Sequence, residues 1–308
     1  MPTPSVLQRL SAAKARFDEL RVGKEDLLRL LDESEVPEAV FNSNAIENST
    51  LTLEETEQIL LAVEISRHMD LREVHEAQNL ARVTQYLRTT IDKPFNLDRL
   101  TMLHRMLLGN IDDDIAGRFR NPGEYVRVGT HIAPPPEAVE DLLRAMLSTY
   151  GADVVSRPTQ RLARLHLEFE RIHPFVDGNG RIGRVMLNDA LYRLGFAPII
   201  VRNKGKIEYY SMLRRYDTDG TTKPFEDHLV ILMLESLHRR MAYLDGLTIR
   251  PVVEVARLRN VAPGALLNQA RRQSIPAFRE RGTWKIGTEG EFGAMTGQAR
   301  RFRADPLQ

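Results

Sequence analysis

The segment from residue 173 to residue 184, His-Pro-Phe-Val-Asp-Gly-Asn-Gly-Arg-Ile-Gly-Arg, constrains this chain more than any other. It places an imidazole, a carboxylate, three glycines, an amide and two guanidinium groups within twelve residues. Amphipathic helical patterns flank it over 161–172 and 181–194. The first helix is predicted to end at His173, because a residue before proline disfavours helical backbone. The sequence therefore predicts two buried helices joined by a glycine-rich turn that carries reactive groups.

The glycine-rich turn opens a helix, which predicts an anion-binding site. The N-terminus of a helix presents free backbone N–H groups and the positive end of the helix dipole. Arg181 and Arg184 project from the same face of the first turn, and paired guanidinium groups suit a polyphosphate. Asp177 precedes the turn, where a carboxylate commonly holds Mg²⁺ beside phosphate. His173 could take a proton from an attacking hydroxyl, so the group predicts phosphoryl or nucleotidyl transfer.

Each of these features has an ordinary structural explanation when it is taken alone. Histidines at helix ends, glycine-rich turns and arginines on one helix face are all common in proteins without a site there. Their coincidence within twelve residues favours the functional interpretation. The turn is not a Walker-type loop, because it lacks Gly-Lys-Ser/Thr and no strand pattern precedes it.

Composition restricts the other classes of function. The chain has 308 residues, is 42% hydrophobic and has a formal net charge of +1, so it can bury a large core and is not an overall electrostatic binder of nucleic acid. It has no cysteine, which excludes disulfides, thiolate metal sites and cysteine nucleophiles. No apolar run approaches the ~20 residues of a membrane helix, and the N-terminus lacks a signal-peptide pattern. A cytoplasmic protein without membrane contact is expected.

Helical periodicity dominates the remaining chain. One convincing strand pair is predicted within 115–136, where an Asn-Pro-Gly turn precedes Tyr125, Val126 and Val128, all of which have β propensity. The other segments with a helical pattern are 5–33, 52–65, 70–90, 97–108, 137–150, 206–215 and 224–243.

The segment 41–50 is polar, rich in small residues and contains one acid, Glu47. Ser43 and Asn44 favour helix N-caps, so Glu47 is expected in the first turns of a short helix. Composition alone favours an ordinary helix-start loop with a solvated glutamate. The sequence Thr-Leu-Glu-Glu at 52–55 then predicts a capping box that opens the next helix.

Residues 246–308 form a separate basic unit, with eleven Lys and Arg against five Asp and Glu, a net charge of +6. Helical patterns over 251–258 and 265–272 flank a turn, and a hairpin is expected around Trp284. This order resembles a helix-turn-helix or winged-helix module, whose charge suits contacts with phosphate. A basic domain for protein docking or dimer packing explains the same features.

The pattern His-Pro-Phe-x-Asp-Gly-Asn-Gly-Arg-x-x-Arg over 173–184 resembles the signature of the Fic family of protein adenylyltransferases. The resemblance covers roughly 35–235. It implies a mainly α fold, a Fic-type helical bundle with a short β-hairpin flap, followed by the small C-terminal module. The chain would then divide into an N-terminal helical region over 1–95, a catalytic core over 96–245 and the basic module over 246–308.

The resemblance implies transfer of AMP from ATP to a Ser, Thr or Tyr hydroxyl of a target protein, or of the enzyme itself, with release of pyrophosphate. His173 would be the general base, and Asp177 would hold Mg²⁺, with Mn²⁺ as an alternative, at the α- and β-phosphates. The residues expected to bind the nucleotide are Gly178, Asn179, Gly180, Arg181, Arg184, Tyr209 and Tyr210. The residues expected to dock the target on the flap are Val126, Val128, Gly129, Thr130 and His131.

The sequence Ser-Asn-Ala-Ile-Glu-Asn at 43–48 resembles the inhibitory motif of family members that carry an N-terminal inhibitory helix. The resemblance implies that Glu47 pairs with Arg184, which then cannot grip the γ-phosphate. Ser43 belongs to the same motif. This interpretation replaces that of a solvated glutamate, and a role of Glu47 in AMP removal stays open.

Two other functions remain consistent with the sequence. One is a DNA-binding regulator whose Fic domain senses a nucleotide. The other is a Fic enzyme that uses another nucleotide donor or removes AMP. The sequence leaves open the target protein, its modified residue, the donor base, homodimer formation, and whether 246–308 binds DNA or protein.

Overall fold

The computed structural model describes residues 4–63, 69–152 and 157–289. Most of these residues are helical, and the predicted mainly α fold is confirmed. The helices are α1 (Pro4–Leu20), α2 (Glu25–Ile46), α3 (Leu53–Leu60), α4 (Leu71–Thr89), α5 (Leu97–Leu108), α6 (Val139–Ala152), α7 (Pro158–Ile172), α8 (Asn179–Arg193), α9 (Lys206–Asp219), α10 (Lys223–Leu244), α11 (Val252–Leu258) and α12 (Pro263–Arg271). The strands are β1 (Arg127–Val128), β2 (His131–Ile132), β3 (Thr248–Pro251), β4 (Ala277–Glu280) and β5 (Thr283–Thr288).

The helices from α1 to α10 enclose one hydrophobic core. The pair α7 and α8 lies at its centre, and Phe169 and Ile182 are fully buried there. The long helix α10 packs along α1 and α7. Among the described helices, none combines the length and the apolar character that a bilayer span requires. The core therefore fixes the positions of both helices that flank the glycine-rich turn.

The N-terminal helices differ from the prediction. The pattern over 5–33 belongs to two helices, and Gly23, with a φ of +72°, lies in the turn between them. The expected short helix around Glu47 is wrong, because α2 continues through Pro37 and Glu47 is its C-cap. Ser43 lies buried inside α2 and accepts a hydrogen bond from Arg184, so a tertiary contact overrides its capping preference.

The predicted capping box at the start of α3 is present. The Thr52 hydroxyl accepts a hydrogen bond from the backbone N–H of Glu55, and the Glu55 carboxylate accepts one from the N–H of Thr52. Helix α3 ends at Leu60, earlier than predicted. The end of the predicted helix, at 64–65, lies outside the described residues.

The predicted hairpin is confirmed, although its strands are shorter than the β propensity suggests. Arg127 pairs with Ile132, and Val128 pairs with His131, in an antiparallel register. One further hydrogen bond joins the N–H of Ala133 to the carbonyl oxygen of Val126, at 3.1 Å.

The C-terminal module has its own small core and the predicted pair of helices followed by a hairpin. Its antiparallel sheet has the strand order β3-β5-β4. Strand β3, which lies before α11 in the chain, was not predicted. Trp284 lies on β5. The residues of the core are Val252, Val255, Ala256, Leu266, Ala270, Ala277 and Ile286.

Candidate active site

The loop between α7 and α8 is held in shape by its own groups. His173 ends α7 with a φ of +49°, and Gly178 begins α8 with a φ of +80°. The Asn179 side chain accepts a hydrogen bond from the Phe175 N–H at 2.9 Å and donates one to the Phe175 carbonyl at 2.8 Å. Asn179 is buried, so its side chain fixes the loop and only its backbone N–H can face an anion with those of the first turn.

The ring of Phe175 anchors the loop against α5. It stacks on His104, with ring centroids 3.7 Å apart and planes at 4°. His104 Nδ1 accepts a hydrogen bond from the Gly117 N–H, so Nε2 carries the proton and donates to the Asp177 carbonyl at 3.0 Å. Burial lowers the pKa of His104 to about 4, which keeps this ring neutral. No motif marks His104, because it follows the helical pattern of α5.

His173 has the protonation state that a general base requires. Its Nδ1 lies 3.2 Å from the Glu170 carbonyl oxygen, which can only accept, so Nδ1 carries the proton and Nε2 keeps a lone pair. Burial lowers the pKa of His173 to about 4, and the imidazole is neutral at pH 7. Arg120 Nε donates to the His173 carbonyl at 2.9 Å and fixes the backbone at this residue.

Arg184 is buried and is held by the end of α2. Its Nη2 lies 2.7 Å from Glu47 Oε1 and 2.9 Å from the Ser43 carbonyl oxygen, while Nε donates to Ser43 Oγ at 2.9 Å. Burial disfavours the charge of Arg184, but Glu47 raises its pKa and the guanidinium stays protonated. The ion pair implied by the resemblance is therefore present.

Gly180 provides the space for this ion pair. A Cβ atom at residue 180 would lie 2.2 Å from Glu47 Oε1 and 3.0 Å from Arg184 Nη1. No real Cβ approaches an oxygen so closely, so the Glu47 carboxylate occupies volume that only glycine leaves free. The carboxylate thus lies directly over the first turn of α8, where the anion site was predicted.

Asp177 takes part in a ring of charges with α4. Its two oxygens lie 2.7 Å from Arg72 Nη2 and 3.2 Å from Arg181 Nη2. Glu76 completes the ring, with Oε1 at 3.2 Å from Arg72 Nε and 3.1 Å from Arg181 Nη1. Arg181 is buried between the two acids. Arg72 and Glu76 belong to an ordinary amphipathic helix, and nothing in its sequence marks them.

The acidic groups fit a Mg²⁺ ion only in part. Within the described residues, no cluster of three or more His, Cys, Asp or Glu could hold a metal ion by itself. Mg²⁺ at nucleotide sites needs only one or two carboxylates, because phosphate oxygens and water complete its shell. The Asp177 side chain is 38% exposed, so it fits such a site once Arg72 releases it.

The two tyrosines expected at the nucleotide differ in their surroundings. Tyr209 is buried, and its hydroxyl lies 2.7 Å from His166 Nε2. Its expected place at the nucleotide stays a prediction. Tyr209 belongs to the apolar face of α9, which decides its burial. Tyr210 is half-buried and donates to the Ile46 carbonyl at 3.2 Å, so it contacts the end of α2, beside the motif that the resemblance marks as inhibitory.

A further carboxyl group lies buried behind Arg184. Glu170 Oε1 is 3.8 Å from His166 Nε2 and would lie 2.4 Å from a Cβ at Gly183. Burial raises the pKa of Glu170 to about 8, so it is largely protonated at pH 7. Its place in a strongly amphipathic helix gave no sign of this environment.

The flap lies beside His173. Arg120 is buried and also donates to the Pro134 carbonyl at 2.8 Å, which ties the end of the flap to the loop. His131 Nε2 donates to the Arg171 carbonyl oxygen at 2.8 Å, which holds the flap against the end of α7, and its expected role in docking stays a prediction. The other residues expected to dock a target are half-buried (Val126) or exposed (Val128, Gly129 and Thr130).

One helix-loop-helix of this bundle brings together a neutral histidine, a glycine-rich helix N-terminus and an acid. Residues 94–191 match the family model described as Fic/DOC family. The chain therefore carries a Fic domain, as the motif indicated.

Named relatives agree with that assignment. The chain is 30% identical over 220 residues to a protein adenylyltransferase Fic from Nematostella vectensis, which covers 69% of this chain and 50% of the relative. This chain thus spans half the length of that relative. The solved structure of Fic-1 (residues 134–508) from C. elegans has a TM-score of 0.68 at 26% identity, over 78% of this chain and 73% of that one. A Fic family protein from Desulfovibrio desulfuricans shares the fold over 98% of both chains, with a TM-score of 0.66 at 21% identity.

Proposed function

We propose that this protein transfers AMP from ATP to a hydroxyl group of a protein. The observation that carries the proposal is a neutral His173 whose Nε2 is a free acceptor, one loop away from the N-terminus of α8. A relative named protein adenylyltransferase at 30% identity supports it. The exposed flap beside the loop favours a protein over a small molecule as the acceptor.

The placement of these groups supports a single-step transfer in the proposed reaction. Nε2 of His173 takes the proton of the target hydroxyl as its oxygen attacks the α-phosphorus. A bond forms between that oxygen and phosphorus, the bond from phosphorus to the bridging oxygen of the β-phosphate breaks, and pyrophosphate leaves. The N–H groups of α8 and the guanidinium of Arg184 stabilise the phosphate charge that the reaction redistributes.

Asp177 would hold Mg²⁺, or Mn²⁺, at the phosphates of ATP. Held there, such an ion would supply positive charge that neutralises charge on the leaving pyrophosphate. The chain itself has to free the carboxylate first, since Arg72 and Arg181 both contact it.

The closed pair of Glu47 and Arg184 supports an autoinhibited resting state. Arg184 cannot bind a γ-phosphate while its Nη2 donates to Glu47 and to the carbonyl of Ser43. The Glu47 carboxylate also places negative charge over the anion site. Active transfer therefore requires Glu47 to leave.

The test is labelling of a cell lysate, and of the protein itself, with α-labelled ATP. We expect strong labelling with Glu47→Gly, weak labelling with the wild type, and none when His173→Ala is added to Glu47→Gly. A panel of α-labelled nucleotides in the same assay identifies the donor base. A Glu47→Gly protein that labels nothing with any nucleotide would refute nucleotidyl transfer.

Binding of DNA by the C-terminal module is the less favoured alternative. Four of the eight Lys and Arg within 246–289 form ion pairs with carboxylates of this chain, which reduces the charge available for phosphate. A gel shift on generic duplex DNA at two salt concentrations tests it, and a salt-dependent shift would restore this candidate.

A further inference from the structure

The helix that carries Glu47 has a weak point in its middle. Pro37 lies inside α2 and has no N–H, so the hydrogen bond to the preceding turn is missing at that residue. Fewer helical hydrogen bonds therefore join the segment 38–46 to the first half of α2 than in an uninterrupted helix. Its position depends on contacts with the rest of the molecule, and Glu47 moves with it.

The first of these contacts comes from the C-terminal module. Glu38 is 8% exposed, and its two oxygens accept the backbone N–H groups of Arg281 at 3.0 Å and Gly282 at 3.2 Å. Both donors belong to the turn between β4 and β5, which we call the latch turn (residues 281–282). Arg281 and Gly282 have φ values of +51° and +76°, a conformation that directs both N–H groups to one carboxylate.

Buried ion pairs connect the same carboxylate to the rest of the module. Arg202 contacts both Glu38 and Glu235 of α10. Glu235 also forms an ion pair with Arg279 of β4, whose Nη2 lies 2.6 Å from Glu235 Oε2. On the outer side, the Arg281 side chain pairs with Glu57 of α3. The latch turn therefore contacts two N-terminal helices and is backed by α10.

We propose that the latch turn holds the second half of α2 in the position where Glu47 pairs with Arg184. Glu38 and Glu47 are nine residues apart on one helix, about 13.5 Å, so a displacement at Glu38 is carried along a rigid element to the site. Release of the latch turn moves Glu47 away from Arg184 and opens the anion site. The effect on activity rests on the proposed AMP transfer, whereas the effect on α2 does not.

Two variants release the latch turn without touching the site. Arg281→Glu places a negative charge beside Glu57 and Glu38, and the Arg281 side chain is 59% exposed, so the fold tolerates the change. Adding Glu57→Arg reverses the charges and is expected to restore the contact. Gly282→Pro removes one N–H donor and cannot adopt a positive φ.

The chain offers a matched control for the proline variant. Gly220 also has a positive φ, +70°, is exposed and has no atom within 4 Å of an added Cβ, as is true of Gly282. It caps α9 and makes no contact with Glu38. Gly220→Pro therefore reproduces the local strain without affecting the latch turn.

The first readout is amide hydrogen exchange of residues 39–47, which does not depend on catalysis. We expect exchange at least about tenfold faster in both variants, because Gly282→Pro removes one hydrogen bond to the buried Glu38 carboxylate and Arg281→Glu weakens both by charge repulsion. Gly220→Pro and the Arg281→Glu, Glu57→Arg pair should exchange like the wild type. Unchanged exchange in Arg281→Glu, or equal loosening by Gly220→Pro, overturns the latch.

The second readout is labelling with α-labelled ATP, with Glu47→Gly as the reference. We expect Arg281→Glu to label several times more than the wild type and less than Glu47→Gly. Faster exchange with wild-type labelling, in an assay where Glu47→Gly is active, overturns control of the site by the latch turn. If Glu47→Gly is silent, AMP transfer itself is wrong, and the exchange data still decide whether the latch turn holds α2.

Discussion

Replacing Glu47 by glutamine separates the charge of the inhibitory side chain from its volume. Glutamine keeps the shape and an oxygen that can accept from Arg184, but it carries no charge. The wild-type contact is a 2.7 Å charge-assisted hydrogen bond to a buried guanidinium. We therefore expect Glu47→Gln to release part of the inhibition and Glu47→Gly to release all of it.

The magnitudes follow from the strength of that contact. A hydrogen bond to a charged partner contributes about 1.5–3 kcal/mol, and a bond between neutral groups about 0.5–1.5 kcal/mol. Loss of the charge on one side thus costs the inhibited state roughly 1.4 kcal/mol, a factor of ten in the closed-to-open ratio. Loss of the whole side chain costs up to about 3 kcal/mol, or roughly a hundredfold. The Glu47 side chain is one-third exposed, and water weakens the contact, so we expect both free-energy losses toward the lower ends of these ranges.

The assay is initial-rate labelling at saturating α-labelled ATP, with the folded fraction of each variant checked by thermal melting. Glu47→Asp is the control that keeps the negative charge but shortens the side chain by one methylene, so its carboxylate cannot reach Arg184 as closely. We expect the order glycine, glutamine, aspartate and wild type, from fastest to slowest. A glutamine variant as slow as the wild type beside a fast glycine variant would show that the side chain inhibits by volume, and the electrostatic reasoning would be refuted.

Three further predictions concern the site. Because burial lowers the pKa of His173 to about 4, kcat/KM of Glu47→Gly should stay level from pH 7.5 down to 5.5, and a decline centred near 6.5 in the rate profile would contradict this. Burial raises the pKa of Glu170 from 4.5 to about 8, so the folded state favours the proton and loses stability as pH rises between these values. Glu170→Gln should therefore raise the unfolding free energy by on the order of 3 kcal/mol at pH 7 and not at pH 4, and melting curves at both pH values that shift equally would refute the buried neutral acid. Phe175→Ala should cost about 3–5 kcal/mol of stability, since the ring is fully buried against His104, and a denaturant midpoint close to the wild-type value would contradict that.

The parts of the fold that depend on local pattern could be predicted from the sequence. Helices α4, α5, α7 and α8 follow amphipathic periodicity, and the Thr52 capping box and the hairpin near Gly129 depend on residues close in the chain. The helix around Glu47 was mispredicted because Ser43 and Asn44 have the chemistry of caps. Their side chains are instead buried within α2, a tertiary effect without a local signal.

The long-range ion pairs could not be predicted, because charge carries no periodicity between distant segments. Asp177 and Arg72 are 105 residues apart, and Glu38 and Arg281 are 243 apart. Arg72, Glu38 and Arg281 each look like an ordinary surface charge in their own helix or turn, and the motif that marks Asp177 does not indicate its partner. The pairing of Glu47 with Arg184 was expected only through the family resemblance, since nothing in the chain itself connects residues 137 positions apart.

Because residue 180 is a glycine and has no Cβ atom, it limits which substitutions this protein can accept. The same empty volume admits the Glu47 carboxylate and, in the proposed reaction, a phosphate oxygen of the nucleotide. A methyl group there would exclude both negatively charged occupants together. In the proposed reaction, no substitution at residue 180 would therefore give a permanently active enzyme, and variants that escape the proposed inhibition would have to change α2 or the residues that hold it. Selection for activity would leave its mark far from the catalytic loop, in the N-terminal helices and in the module that contacts them.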